Sequence, residues 1–225
     1  MSTEQVVDSR RARSEATKAA LMRAAEKLIS EHGADHVSIR DIVSAAEQKN
    51  ESVLQYHFGN LRGLLAAIHS ERAEQVRAQR GAMLQSLLDT TSEPSLRQLC
   101  SLMVAPTFQL ARSDVAFRRY IKAFGIELAL VDSSPLKVIS RKGGGGKAGE
   151  ALAKHLKKAL PELDKNDYVR RMEAAVLLCA TAMYHQAHQT GAFRGAKSDL
   201  FLASLIDGLT GLLAAPVSAE TTALK

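Results

Sequence analysis

The chain has 225 residues, 46% of them hydrophobic and 24% charged, which is the balance of an ordinary globular protein and excludes extended disorder and collagen-like repeats. The formal charge is +6, yet residues 1–62 hold nine Lys/Arg against nine Asp/Glu, so bulk charge alone marks no nucleic-acid-binding segment. The longest uncharged apolar run, Ala174 to Tyr184, falls short of the ~20 residues that cross a bilayer, and Met1 to Arg13 is too polar for a signal peptide; no membrane association and a cytoplasmic location are expected.

Residues 1–13, with Arg10, Arg11 and Arg13, read as a flexible basic N-terminal arm. After an N-cap at Ser14, Leu21, Ala25, Leu28 and Ile29 recur at helical spacing and stop at Gly33, giving a first helix near 15–32. Ser38 followed by Asp41 has the capping-box pattern for a short second helix carrying Ile39, Ile42, Val43 and Ala46. The polar run Glu47-Gln48-Lys49 interrupts it, and Asn50 can cap a third short helix bearing Val53, Leu54 and Phe58. Gly59 ends that helix. Asn60 can cap a long fourth helix whose stripe Leu64, Leu65, Ile68, Val76, Met83 and Leu87 runs to about Asp89, the length of a connector.

Ser92-Glu93-Pro94 breaks the pattern, and helices are expected near 95–112 and 114–131, a loop over Asp132 to Pro135, and a helix near 147–159. Gly143 to Gly146 reads as a flexible linker. It fails as a phosphate loop because Arg141 stands where glycine is needed and Ala148 replaces the magnesium-binding hydroxyl. Helices near 166–189 and 197–214 are apolar around much of their circumference, as helices buried in a core or against a second subunit are. Strand-like alternation is missing, so the fold is all-α.

The chemistry lies in residues 38–62. A capped helix, a polar turn and a second capped helix form a helix-turn-helix, whose second helix enters the DNA major groove. Asn50, Glu51, Ser52 and Gln55 fall on the outward side of this helix; Asn and Gln suit adenine edges, while Asn50 serves equally well as the cap alone. Tyr56 and His57 suit phosphate contacts, with ordinary packing as the competing role. Ser38 and Arg40 approach phosphate from the N-terminus of the second helix.

Here the sequence resembles the tetracycline-repressor (TetR) family of bacterial transcriptional regulators. The residues that carry the resemblance are Ala24-Ala25-Glu26-Lys27-Leu28-Ile29 with His32-Gly33, then Val37-Ser38-Ile39-Arg40-Asp41-Ile42, and above all Leu54-Gln55-Tyr56-His57-Phe58-Gly59 followed by Leu64-Leu65. The resemblance implies a homodimer with a DNA-binding domain at 14–60 and a ligand-binding and dimerisation domain at 61–225. Its partners would be a double-stranded DNA operator and a small-molecule inducer. It covers residues 14–68. Two features depart from the family pattern. The usual Ala-Gly-Val-Ser turn is replaced by Ala46-Glu47-Gln48-Lys49-Asn50, longer by one residue and lacking the glycine, which places Lys49 beside the recognition helix. A lysine common at the start of the fourth helix falls on Leu61, leaving Arg62 as its substitute at the phosphate.

Beyond residue 95, Met103, Phe108, Phe117, Tyr120, Phe124 and Tyr184 are candidate lining for a ligand site, with ordinary core packing as the alternative for each. No arginine pair or acidic cluster singles out a ligand class, and a largely apolar inducer is expected. Val176, Cys179, Met183, Leu202, Leu205, Leu209 and Leu212 are expected in a dimer interface built as a four-helix bundle. His185 and His188 sit i, i+3 apart but no carboxylate or cysteine joins them, so no metal is expected. No cofactor motif and no catalytic constellation is discernible. The expected protein is a sequence-specific DNA-binding repressor released by a small molecule, not an enzyme. The alternative is a helical ligand-binding or scaffolding protein that never contacts DNA.

Overall fold

A computed structural model describes residues 3–141 and 145–225. Within them the chain forms α1 (Thr3–His32), a 3-10 turn at Ala34–His36, α2 (Ile39–Ala45), α3 (Ser52–Phe58) and α4 (Leu61–Thr90). There follow α5 (Leu96–Ser113), α6 (Val115–Phe124), α7 (Glu127–Leu130), α8 (Pro135–Arg141), α9 (Gly146–Ala159), α10 (Lys165–Ala187), α11 (Gly195–Ala214) and α12 (Ala219–Ala223). No strand occurs among the described residues, and no described helix is long and apolar enough to cross a membrane.

The chain divides into two compact units, Met1–Arg72 and Ala73–Lys225. In the first, α1 begins well before the expected residue 15. Residues 3–14 contain neither glycine nor proline, so nothing stops the helix from extending outward, and Ser14 lies inside it rather than at its cap. The exposed stretch Asp8 to Arg13 has no apolar stripe, which is why periodicity missed it. The core of this unit is Leu21, Ala25, Ile29, Ile42, Val43, Leu54, Leu64 and Ile68. Each fully buried Leu or Ile contributes about 2 kcal/mol by leaving water.

In the second unit, the expected helix over 114–131 is broken. Gly125 caps α6, and α7 is a separate single turn. The expected loop after Ser134 is helical as α8, since Pro135 is well tolerated at a first helical position. Of the glycine run, Gly143 and Gly144 lie outside the described residues, whereas Gly145 and Gly146 belong to the start of α9 rather than to a linker. The two expected apolar helices appear as α10 and α11 with slightly shifted ends.

Pro106 lies inside α5. Its ring nitrogen has no hydrogen to give to the carbonyl of Leu102 one turn earlier, which would leave that oxygen an orphan. Arg80 of α4 supplies the missing donor: its Nε donates to the Leu102 carbonyl at 3.1 Å. Burial in turn pulls the Arg80 pKa below the ordinary arginine value. Aromatic packing centres on Phe108, whose ring meets Phe193 edge-on at 5.5 Å and stacks near Phe201 at 6.4 Å. Cys100 and Cys179 are free thiols that pack among these helices, and burial pushes Cys179 up to about 12.

Candidate nucleic-acid interface

The turn between α2 and α3 is built by local hydrogen bonds that the residue types dictate. Ser38 and Asp41 form the full capping box: Asp41 N–H donates to Ser38 Oγ at 3.2 Å, and Ser38 N–H donates to Asp41 Oδ2 at 3.0 Å. The Ser38 hydroxyl also donates to Asp41 Oδ2 at 2.6 Å, so its proton is already engaged. These bonds hold the Asp41 carboxyl below its ordinary pKa. The stabilisation they give is present above the unfolded-state carboxylate range and is lost as the pH falls through the lowered folded value.

α2 closes in a Schellman geometry. Gln48 N–H donates to the Val43 carbonyl and Glu47 N–H to the Ser44 carbonyl, both at 3.0 Å. This closure requires a left-handed residue at position 47, and Glu47 adopts φ 56°. Glu47 thus stands where a glycine would be free of Cβ strain. Glu47→Gly is expected to raise thermal stability by up to about 1 kcal/mol, the strain relieved being partly offset by the added freedom of the unfolded chain. A loss of stability in denaturant titration would show that the Glu47 side chain has a contact that outweighs the strain.

Asn50 lies just before α3, whose N-cap position is Glu51 rather than the expected Asn50; its Oδ1 accepts from Ser52 N–H at 2.9 Å and so holds the turn that leads into the helix. α3 then buries Leu54 and turns Ser52, Gln55 and Tyr56 outward, with Lys49 and Glu51 exposed just before it. Tyr56 is 82% exposed, which removes the packing role considered for it. His57 is half-buried, its ring 4.9 Å from that of Tyr56 and edge-on to it. Burial first and the charge of Lys18 second lower its pKa below the ordinary histidine value. Arg40 and Arg62 are exposed at the starts of α2 and α4.

Two features that fix this surface escaped the sequence reading. Asn60 Oδ1 accepts from Gly63 N–H at 3.0 Å, the expected cap of α4, but Gly63 itself is required because a Cβ there would collide with the Phe58 carbonyl. The end of α3 and the first turn of α4 therefore approach more closely than any other residue would permit. The second is a buried ion pair. Arg72 Nε and Nη2 donate to Glu26 Oε1 and Oε2, each at 2.7 Å, with Glu26 2% and Arg72 6% exposed. Two parallel bonds fix α4 to α1 in angle as well as position. Glu26 was visible as part of a motif, but its partner lies 46 residues away, with no local signal to pair them.

Elsewhere, Met183, Leu205 and Leu209 are buried in the second unit's own core, while Val176, Cys179, Leu202 and Leu212 are half-buried. Leu205 and Leu209 thus have little side chain left to give a second subunit, and a charge placed there would enter this chain's interior. Among the candidate ligand residues, Phe108, Phe117 and Phe124 are buried and Met103, Tyr120 and Tyr184 half-buried. His188 Nδ1 lies 3.0 Å from the Tyr184 carbonyl and His185 Nε2 lies 3.2 Å from the Gln189 amide. No group of three or more His, Cys, Asp or Glu among the described residues could hold a metal ion.

Two short helices, α2 and α3, joined by a capped turn beside the long α1 and presenting one polar helix face next to exposed arginines, form a helix-turn-helix, the arrangement that DNA-binding domains use. The model of one family, TetR_N, the bacterial regulatory proteins of the tetR family, matches residues 21–68. Residues 21–68, which hold the helix-turn-helix, are thus similar to the N-terminal part of these bacterial regulatory proteins. None of the curated proteins matches the chain. Among solved structures it is similar to RolR in complex with the ligand resorcinol, at 17% identity over 92% of this chain and 98% of that one, with a TM-score of 0.48. It is also similar to GusR of Salmonella enterica, at 21% identity over 88% of this chain and 95% of that one, with a TM-score of 0.49.

Proposed function

We propose that the protein is a homodimeric cytoplasmic repressor that reads an operator with α3 and leaves it when a small molecule binds within residues 73–225. The observation that carries this reading is the outward face of α3, where Ser52, Gln55 and Tyr56 are exposed on a helix whose start is held by Asn50. In this reading Gln55 and Ser52 meet base edges, while Tyr56, His57, Arg40 and Arg62 meet phosphates that set the register. Lys49 and Glu51 flank the first of these contacts. Successive major grooves accept two such helices only at one spacing, so a ligand that prefers a differently spaced dimer releases the DNA. What supports a dimer is α11, which keeps Gly208 and Gly211 exposed with open space beyond them, where a second helix can approach closely.

A gel shift against the DNA upstream of the protein's own gene tests the reading, with Tyr56→Phe as the informative variant. The wild type is expected to shift that DNA. The variant, which lacks one phosphate-bonding hydroxyl per subunit, should bind about 10-fold more weakly on all sequences alike, with an unchanged melting temperature. Unchanged affinity would remove Tyr56 from the interface, and no shift by the wild type at low salt would overturn the function.

A further inference from the structure

Within residues 73–225 a cleft of about 320 Å³ opens between α6 and the turn that follows α10. None of the six ligand candidates named from the sequence lines it. Its walls carry Arg118, Arg119, Lys122 and Arg194, and its apolar lining includes Val115, Ala187 and Ala192. α6 is strongly two-sided: Phe117, Ile121 and Phe124 are buried in the core, which turns Arg118, Arg119 and Lys122 toward the cleft.

The Arg118 side chain and the backbone that carries Arg194 are held in place. Arg118 Nη1 donates to the last-turn carbonyls of α5, Ala111 at 2.8 Å and Arg112 at 3.2 Å. Arg194 follows Phe193, a fully buried residue with φ 62° between Gly191 at 73° and Gly195 at 67°. The Phe193 carbonyl accepts from Arg112 Nε at 3.0 Å, so the loop that carries Arg194 is pinned on both sides of its backbone. Of the neighbouring acids, Asp199 pairs with Arg112, and Asp114 accepts from Ala116 N–H to cap α6 while its charge also acts on Arg118, which leaves the cleft with an excess of positive charge. Burial first and the nearby charge of Arg194 second lower the pKa of Arg118, with Asp114 opposing them and Arg119 adding to them.

We propose that this cleft binds a small organic anion bearing two or more carboxylate or phosphate groups on a short hydrocarbon frame. Guanidinium forks from Arg118, Arg119 and Arg194 match such oxyanions in geometry, Lys122 adds a mobile point charge, and the volume lies at the lower end of small-molecule sites. This replaces the apolar inducer expected from the sequence. That the anion is the effector that releases DNA rests on the function proposed above; its binding to the cleft does not.

Calorimetric titration of the full chain with citrate, with inorganic phosphate and with the neutral triethyl ester of citrate is the test. Citrate or phosphate is expected to bind with a Kd below about 1 mM, citrate alone if carboxylates are preferred, and the ester not at all. Lys122→Gln with Arg194→Gln, both at exposed positions, should weaken binding at least about 10-fold without moving the melting temperature. Arg118→Gln with Arg119→Gln should abolish it. The proposal is overturned if neither anion binds, if the ester binds as well as citrate, or if the exposed pair of substitutions leaves anion binding unchanged. A loss of DNA affinity in that variant without anion binding also overturns it and assigns the cluster to DNA. Anion binding by a protein that shifts no upstream DNA would leave the cleft standing and remove the regulator reading.

Discussion

Replacing Arg72 with alanine is expected to lower the stability of the N-terminal unit by about 3–5 kcal/mol, because the Glu26 carboxylate is left buried without its bidentate partner. That is a large share of the 5–15 kcal/mol a domain of ordinary stability possesses. Arg72→Lys should recover only part of the loss, since an ammonium cannot make two parallel bonds to one carboxylate. Replacing both partners, Glu26→Leu with Arg72→Met, should be near neutral, because no unpaired charge then remains inside. Denaturant titration of the four proteins checks this. If Arg72→Ala alone costs under about 1 kcal/mol, the pair is accessible to water and contributes little. The double substitution also separates stability from positioning. Should it fold normally yet bind DNA poorly, the ion pair's role is to set the angle between α1 and α4.

DNA affinity is expected to fall about 10³-fold or more between 50 and 200 mM salt, although residues 1–62 are formally neutral. Counterions are displaced where placed cations meet phosphates, so these contacts and not the formal sum set the salt dependence. Glu26 is buried against Arg72, and Asp41 is closed into the capping box. Exposed Arg40 and Arg62, the hydroxyl of Tyr56 and the remaining donors around α3 are the groups that would meet phosphates in the proposed complex. With roughly six to ten phosphates neutralised per dimer, a plot of log affinity against log salt should slope at about −0.9 times that number. A flat plot would mean that the protein does not engage the DNA backbone. Arg62→Gln should reduce the slope by about one unit for each contact removed.

The DNA-binding unit was legible in the sequence because its signals are short-ranged. Ser38 and Asp41, Asn50 with Ser52, and Asn60 with Gly63 are pairs at most three residues apart, and each closed as its residue types require. Helical periodicity located the long apolar helices of the second unit for the same reason, since one buried stripe needs no knowledge of what covers it. Even the departure at Glu47 had a local meaning, though only its backbone showed that a glutamate had taken the left-handed role of a glycine.

What the tertiary structure decided depends on residues brought together from far apart. The partner of Glu26 is 46 residues away, the donor to the carbonyl freed by Pro106 comes from another helix, and Arg194 meets Arg118 across more than seventy residues of chain. It also settled which side of an apolar helix faces inward: α11 is apolar nearly all round, so its sequence could not distinguish core from interface, and packing sent Leu205 and Leu209 into the chain's own interior. Local hydrogen bonds are dictated by a few neighbouring residues, whereas burial and charge pairing belong to the whole chain, so the reading head was written in the sequence and the chemistry of the cleft appeared only in the fold.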